Sequence, residues 1–284
     1  MTTFQCGRFA LDLSRPLIMG ILNVTPDSFS DGGRFDRCDA ALLHARQLVA
    51  EGAGILDIGG ESTRPGAPYV SPEDEWARVA PVLEAVRELG VPISLDTRRA
   101  AVMRAALDAG LVDLINDVSA LEDEGALPLV AKAQVGICLM HKQGNPGTMQ
   151  QKPEYEDVVA EVGSYLAGRV ALCLQAGVER GRILVDPGFG FGKTLAHNLS
   201  LLANLAEIER RAGVPLLVGL SRKSMLGAIT GEAEPALRLG ASVAAAMEAA
   251  RRGAKIIRVH DVKATHQALQ LWAVLESMTS SAVS

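Results

Sequence analysis

The chain has 284 residues, of which 48% are apolar and only 4% aromatic, and its formal net charge is −5. That length fits one large domain, and an aliphatic composition favours buried parallel strands over an aromatic-rich sandwich. The acidic balance and the lack of a basic run argue against nucleic acid as a partner. No stretch approaches 18 consecutive apolar residues, so the sequence predicts no membrane span.

The cysteines and the N-terminus indicate the compartment. Cys6, Cys38, Cys138 and Cys173 are far apart and form no CxxC pair. This spacing predicts neither a zinc site nor a disulfide framework, and we expect buried thiols in a reducing cytoplasm. The N-terminus lacks the charged start and long apolar run of a signal peptide.

One repeating pattern predicts the architecture. A helical segment ends in a glycine, which takes the left-handed conformation at no steric cost, and a short apolar run follows. These runs are too short for helices and too uniformly apolar for half-exposed strands, so they predict parallel strands buried on both faces. In chain order the predicted strands are 17–22, 55–58, 92–95, 112–115, 136–140, 183–186, 216–220 and 255–259.

Helical patterns fill the intervals between the strands. The clearest begins at Ser71, a candidate N-cap with Asp74 completing a capping box and Pro72 at the first helical position. The other predicted helices cover about 37–51, 98–109, 122–133, 155–176, 198–212, 236–252 and 263–278.

Eight alternating units of strand and helix predict a fold of class α/β, a (β/α)8 TIM-type barrel forming a single domain over 1–284. A doubly wound open sheet is the alternative, but it rarely needs eight such regular units. Residues 4–13 are expected to form a hairpin that closes the barrel floor, and the last six residues are expected to fray.

Polar residues accumulate at the C-terminal ends of the strands, where such barrels place their active site. Asp96, Asn116, Asp186 and Lys223 follow strands three, four, six and seven. A carboxylate can accept two parallel N–H bonds, Asn can donate and accept, and Lys can donate to a carbonyl. Together they predict a pocket for a planar, polar heterocycle. The alternative is that Asp96 and Asp186 are helix N-caps.

A second set of candidate residues is cationic and consists of Arg64, Arg258 and His260. The loops after the last two strands are the usual phosphate site of this barrel, and Arg258 and His260 share one face of an extended segment. This predicts a phosphate or diphosphate site. The alternative places Arg258 in a structural ion pair with Asp261 or Asp57.

The segment DPGFGFGK, residues 186–193, is neither a GxGxxG nor a Walker A motif, so it predicts no nucleotide site. Its glycines are expected to let the backbone approach a flat ligand, with Phe189 or Phe191 offering a ring. Lys223 lies in a loop beside another cation rather than within an apolar strand, which favours a binding role over that of a Schiff-base lysine.

Six motifs carry a resemblance to a known family: NVTPDSFSDGG, GGESTRPGA, NDVSA, DPGFGFGK, GLSRKSMLG and IRVHDV, in that order. Over nearly its whole length the chain resembles the dihydropteroate synthases. These transferases of folate biosynthesis condense 6-hydroxymethyl-7,8-dihydropterin diphosphate with p-aminobenzoate and release diphosphate. The resemblance implies two small-molecule substrates, Mg²⁺ as cofactor, a homodimer, and competition by sulfonamides at the p-aminobenzoate site.

The resemblance also implies roles for individual residues. The pterin would be bound by Asp96, Asn116, Asp186 and Lys223. The residues expected to act in catalysis are Asp96, Lys223 and Asp186. The diphosphate would be held by Thr63, Arg64, Arg258 and His260. The p-aminobenzoate site would be framed by Thr63, Pro65, Phe29, Phe191 and Ser221. Asn23 would ligate Mg²⁺, and the loops 24–33 and 59–67 are expected to order over the diphosphate.

Two alternatives share the pterin pocket. A pterin-binding methyltransferase on the same barrel would have no need for NVTPDSFSDGG or STRPGA. A non-catalytic paralogue would be expected to lose Asn23, Arg64 or Lys223, and all three are present. The synthase reaction itself requires no protein nucleophile, because the arylamine is already one, so a Ser/His/Asp or Cys/His triad is not expected.

Overall fold

The structure is a computed structural model that describes residues 3–24, 34–62, 69–144, 149 and 152–281. In these ranges the strands are β1 (Thr3–Cys6), β2 (Phe9–Asp12), β3 (Leu17–Asn23), β4 (Ile55–Gly59), β5 (Ile93–Asp96), β6 (Leu114–Asp117), β7 (Gly136–Met140), β8 (Ile183–Asp186), β9 (Leu217–Val218) and β10 (Ile256–Val259). The helices are α1 (Arg34–Ala50), α2 (Pro72–Val86), α3 (Ala100–Asp108), α4 (Ala126–Lys132), α5 (Val158–Gln175), α6 (Leu195–Ala203), α7 (Leu205–Ala212), α8 (Ser224–Thr230), α9 (Leu239–Arg251) and α10 (Val262–Ser281).

Strands β3 to β10 pair in parallel as one sheet, in the order β8-β7-β6-β5-β4-β3-β10-β9. A further parallel bridge joins Val185 of β8 to Leu216, just before β9, and the Val185 amide donates to the Pro215 carbonyl at 3.1 Å. The two edges of the sheet therefore meet. The (β/α)8 barrel is confirmed, and the open doubly wound sheet is wrong.

Apolar side chains on the outside of the strands bury the helices against the barrel. Helix α2 shows how the local sequence starts such a helix: the Ser71 hydroxyl accepts from the Asp74 amide at 3.1 Å, and Pro72 occupies the first turn. Its Val79, Leu83 and Val86 are fully buried. Because each such side chain contributes about 1.5–3 kcal/mol when it leaves water, this apolar face holds the helix more firmly than its cap does.

The inner core of the barrel is a separate apolar layer at its floor. This layer consists of inward-pointing residues from seven of the barrel strands: Met19, Ile55, Leu114, Cys138, Leu184, Leu217 and Ile256. The hairpin β1–β2 closes the floor from below, as expected, with Phe4 and Cys6 buried in the same layer. Gly136 makes room for this plug, because a Cβ there would lie 2.7 Å from the Phe4 ring.

The predicted helix 198–212 is wrong as a single helix. The structure breaks it at Asn204, whose φ of −120° leaves the helical region. The Asn204 side-chain amide donates to the Ser200 carbonyl at 2.8 Å, the kind of side-chain-to-backbone bond that competes with a continuous helix.

Other boundaries also differ. Strand β6 begins at Leu114 rather than at 112. The Asp113 side chain takes the place of a strand hydrogen bond there, because its carboxylate accepts from the Ile93 amide and from Arg8 in the turn between β1 and β2. Helix α8 was not predicted, and α9 begins after a short 3-10 turn at Pro235–Leu237. Helix α10 continues to Ser281, beyond its predicted end at 278, and 282–284, in the segment expected to fray, lie outside the described residues.

One helix in the described part of the chain, α5, is long and apolar enough to cross a membrane by length and composition alone. Its buried residues recur along one side of the helix: Val158, Val162, Leu166, Val170 and Cys173. This spacing of three or four residues is that of a helix packed on a core. Its place in the ring around the barrel accounts for the composition.

Candidate active site

A polar layer lies inside the barrel directly beyond the apolar floor. Because side chains two positions apart on a strand point to the same side, each member of this layer follows a floor residue of its own strand by two positions. The members are Asp57, Asn116, Asp186 and Arg258. They face the C-terminal ends of the strands, where a ligand enters such a barrel.

Arg258 lies between two carboxylates in this layer. Its Nε donates to Asp57 Oδ2 at 2.6 Å, and its Nη2 donates to Asp96 Oδ2 at 2.7 Å. Burial alone would lower the pKa of Arg258, but the Asp57 and Asp96 carboxylates raise it above its usual range. Burial raises the pKa of Asp96, and the Arg258 guanidinium opposes that shift. The short bonds from an ionised guanidinium indicate that Asp96 is a carboxylate in this arrangement.

Asp57 is the centre of this network and is fully buried. Its Oδ1 accepts from the Ser94 hydroxyl at 2.6 Å, and its Oδ2 accepts from Asn116 Nδ2 at 3.1 Å as well as from Arg258. Since a carboxylate only accepts, Asp57 holds the nitrogen of the Asn116 amide toward itself. The side-chain oxygen of Asn116 is therefore the atom that can accept a hydrogen bond from a ligand.

Asp186 is 7% exposed, and its Oδ1 accepts from the Gly188 amide at 2.7 Å. Burial raises the pKa of this carboxyl, while the Gly188 N–H and the Lys223 cation oppose the shift. Helix α6 begins only at Leu195, and α3 begins after Arg99 with no side-chain cap. The alternative that Asp96 and Asp186 are helix N-caps is wrong.

Lys223 faces Phe191 across the mouth, with its Nζ 4.3 Å from the ring centroid, a cation–π contact. Burial lowers the pKa of Lys223 to about 8, and the Asp186 carboxylate opposes that shift. The preceding residue, Arg222, has a left-handed φ of 60° and is held by an ion pair with Asp261 at 2.6 Å. Arg222 thus braces the turn that carries Lys223.

Two predicted residues meet at the ends of the last two strands. The His260 amide donates to Ser221 Oγ at 3.2 Å, and His260 Nδ1 lies 3.1 Å from the same oxygen. The predicted arylamine and diphosphate sites therefore adjoin. The structural ion pair of Arg258 with Asp57 is confirmed, whereas Asp261 pairs with Arg222 instead.

Asn23 ends β3, is half-buried, and pairs in the ladder with Gly59 of β4. No group of three or more His, Cys, Asp or Glu side chains that could hold a metal occurs among the residues the structure describes. One amide oxygen suits Mg²⁺ when phosphate oxygens and water complete its octahedral shell. Phe29, Thr63, Arg64 and Pro65 lie outside the described residues, as do most of the loops 24–33 and 59–67.

The sequence predicted no role within the ligand pocket for two residues of this site. Asp57 was predicted only as a possible ion-pair partner of Arg258, although a lone charge inside the apolar run ILDI is a signal in itself. Lys193 was predicted as one of the polar residues that follow the sixth strand, at the end of the segment DPGFGFGK. Its side chain is buried, with 3% of the residue exposed.

The mouth of the barrel holds two buried carboxylates, a buried amide oxygen and a lysine that faces an aromatic ring. These groups define a barrel enzyme that binds a flat, polar heterocycle. The family model described as pterin binding enzyme matches residues 19–260. The chain belongs to that family and, within it, to the dihydropteroate synthases, which are transferases.

The relatives support this membership over nearly the full length. A dihydropteroate synthase of Neisseria meningitidis serogroup C is 60% identical over 274 residues, which cover 96% of this chain and 97% of that protein. The structure of Burkholderia cenocepacia dihydropteroate synthase with 7,8-dihydropteroate is 49% identical, with a TM-score of 0.90 and coverage of 99% and 98%. That of the Xanthomonas albilineans enzyme with 4-aminobenzoic acid is 48% identical, with a TM-score of 0.90 and coverage of 97% and 98%.

Proposed function

We propose that the mouth of this barrel joins 6-hydroxymethyl-7,8-dihydropterin diphosphate to p-aminobenzoate and releases diphosphate. The observation that carries the proposal is the convergence of Asp96, Asn116, Asp186 and Lys223 on one mouth, from three strands and the β9–α8 turn. The Burkholderia relative holds 7,8-dihydropteroate and the Xanthomonas relative holds 4-aminobenzoic acid, which are the product and one substrate of this reaction.

The pterin ring would lie against the polar layer. Asp186 would accept from the amino-pyrimidinone edge, while the oxygens of Asn116 and Asp96 would accept from other ring N–H groups. Lys223 would donate to the ring carbonyl and the neighbouring nitrogen. This assignment matches the donors of the ring with acceptors that the structure holds in fixed orientations.

In the reaction the bond between the pterin methylene and the diphosphate oxygen breaks, and a bond from the methylene to the arylamine nitrogen forms. The amine loses one proton, which the departing diphosphate or water takes up. Because the methylene is conjugated to the ring, positive charge that develops there is delocalised, and the carboxylates of Asp96 and Asp186 would stabilise it. Arg258 and His260, with Thr63 and Arg64, would neutralise the departing diphosphate.

Asn23 is the residue that would hold Mg²⁺. The bound cation would supply charge neutralisation for the leaving group. Phe191 and Ser221, with Phe29, Thr63 and Pro65, would frame the p-aminobenzoate ring, and sulfonamides would compete for the same place.

A coupled assay for diphosphate release tests the proposed function. We expect release that requires both substrates and Mg²⁺ together, and that stops when any one is omitted. Pterin binding without release would favour the non-catalytic paralogue. Methyl transfer from methyltetrahydrofolate, with no condensation, would favour the methyltransferase.

The lowered pKa of Lys223 predicts that activity falls at alkaline pH. Its lowered pKa, about 8, keeps it a cation below that pH and makes it a neutral amine above it. We therefore expect kcat/KM for the pterin substrate to fall above about pH 8. In Lys223→Arg the cation persists, so this fall should move to higher pH even where the maximal rate is lower.

The control for this profile is Lys132→Arg, at an exposed lysine in the last turn of α4. It should leave both the rate and the alkaline limb unchanged. If the limb stays in place in Lys223→Arg, another group sets it.

We further propose that the chain is a single domain over 1–284, that it forms a homodimer, and that it acts in the cytoplasm. The four cysteines are free thiols, which supports a reducing compartment. Helix α10 exposes Leu271, Val274, Leu275 and Met278, an apolar strip of the kind found at subunit interfaces.

A further inference from the structure

Lys193 is a buried lysine that the proposed reaction does not use. Its Nζ lies 2.9 Å from the Gly188 carbonyl oxygen, 3.0 Å from the Phe191 carbonyl oxygen and 3.0 Å from His141 Nδ1. The His141 carbonyl oxygen lies farther away, at 3.4 Å. Burial lowers the pKa of Lys193 to about 7, and the Asp186 carboxylate opposes that shift. In its protonated form the group has three N–H donors and no acceptor, and these neighbours supply partners for all three donors. Because an unpaired charge in the interior of a protein is strongly destabilising, these partners explain how the buried lysine is tolerated.

The loop before Lys193 is folded so that its carbonyls reach this ammonium. Gly188, Gly190 and Gly192 have φ values of +70°, +80° and +64°, which side chains other than that of glycine rarely adopt. A Cβ on Gly188 would lie 1.9 Å from the His141 carbonyl oxygen. Residues 187–192, the glycine loop, therefore wind tightly around the lysine that follows them.

His141, directly after β7, also lies against Lys193, and its Nδ1 can accept in one of the two neutral tautomers of the ring. Burial, together with the neighbouring Lys193 cation, lowers the pKa of His141 to about 3, so the ring is neutral. The ring packs edge-on to Tyr165, with centroids 5.0 Å apart. On the same side, the Tyr155 hydroxyl donates to the Gly192 carbonyl at 2.9 Å, a second attachment of the glycine loop.

The glycine loop carries two groups of the proposed site. The Gly188 amide donates to Asp186 Oδ1 at 2.7 Å, and the Phe191 ring lies 4.3 Å from Lys223 Nζ. We propose that Lys193 is a positioning residue: its ammonium holds the glycine loop so that Gly188 aims the Asp186 carboxylate and Phe191 faces Lys223. One lysine would then set the geometry of both the pterin and the arylamine half-sites, and this rests on the proposed roles of Asp186 and Phe191.

The test is Lys193→Met, which keeps the length of the side chain and removes its donors. We expect the Kd for dihydropterin diphosphate and the KM for p-aminobenzoate each to rise at least about 10-fold, since more than one hydrogen bond to the loop is lost. Asp186→Asn, assayed in parallel, should weaken chiefly the pterin. The matched control is Lys132→Met at the exposed lysine of α4, which should change neither constant.

Chemical rescue separates loss of positioning from loss of fold. In Lys193→Ala, added ethylammonium should restore part of kcat/KM, because its N–H groups can bond to the freed carbonyls. Tetramethylammonium, which has no N–H, should not. Should neither Lys193 variant fold, Tyr155→Phe removes a single bond to the same loop and should shift both constants in the same direction by about 3- to 10-fold.

The inference is overturned if Lys193→Met folds and leaves both the Kd for the pterin and the KM for p-aminobenzoate unchanged. If the lysine variants do not fold, it is overturned when a folded Tyr155→Phe leaves both constants unchanged. If Asp186→Asn weakens pterin binding in that experiment, only the positioning role of Lys193 fails. If Asp186→Asn also leaves pterin binding unchanged, the proposed site itself fails and the inference with it.

Discussion

Replacing Asp186 with Asn is expected to lower the affinity for dihydropterin diphosphate by roughly 10- to 100-fold, because hydrogen bonds to a charged acceptor contribute about 1.5–3 kcal/mol. The affinity for p-aminobenzoate should change far less. Asn keeps one oxygen, which can still accept from the Gly188 amide and hold the glycine loop. Its NH₂ group replaces the second oxygen and cannot accept from the amino-pyrimidinone edge. Isothermal titration calorimetry with each substrate measures both affinities.

The control for this substitution is Asp108→Asn, at an exposed residue that ends α3. It makes the same chemical change far from the mouth and should alter neither affinity. Equal loss of affinity for both substrates in Asp186→Asn would contradict the assignment of Asp186 to the pterin.

Arg258→Ala is expected to reduce both the affinity for diphosphate and the stability of the barrel. The guanidinium bonds to Asp57 at 2.6 Å and to Asp96 at 2.7 Å, and its side chain is only 21% exposed. Its removal leaves two carboxylates without their cation. Breaking such a buried pair costs about 3–5 kcal/mol, and we expect the lower end because Asp96 is partly accessible. Urea unfolding measures the stability, and titration with free diphosphate and Mg²⁺ measures the affinity.

Two further variants separate the roles of Arg258. Arg258→Lys keeps the charge but loses the planar fork that reaches both carboxylates, so its stability should lie between those of the wild type and Arg258→Ala. Adding Asp57→Asn to Arg258→Ala removes the uncompensated buried charge and should recover part of the lost stability. Unchanged affinity of Arg258→Ala for free diphosphate would leave the structural ion pair as its role.

Much of the fold was predictable because its signals are local. A glycine precedes six of the eight apolar runs, a pattern that depends only on neighbouring residues, and all eight predicted barrel strands are present. The start of α2 was predictable for the same reason, since Ser71, Pro72 and Asp74 act within one turn. The break at Asn204 was not, because the helical period continues through it and only a side-chain bond to Ser200 interrupts the backbone.

Which residues gather at the mouth of the barrel was predictable, but most of the hydrogen bonds between them were not. Asp96, Asn116, Asp186 and Lys223 could be named because strand ends in a barrel share one face. Asp57 was named only as an alternative partner of Arg258. The bonds of Arg258 to Asp96 and of Asn116 to Asp57 were not predicted, because the heights of interior side chains depend on the register of eight strands. Asp57 meets Arg258 across 201 positions of sequence, and Asp96 meets it across 162.

The sequence by itself thus determined the barrel, the face that carries its chemistry and, through six motifs, the family. Only the tertiary structure decided what each polar group can offer. Closure of the sheet places Arg258 between two carboxylates and turns the nitrogen of Asn116 toward Asp57. The packing of β7 against the glycine loop surrounds Lys193 with acceptors. These arrangements are non-local, because a buried polar group takes its orientation from whichever partner the fold brings within hydrogen-bond distance.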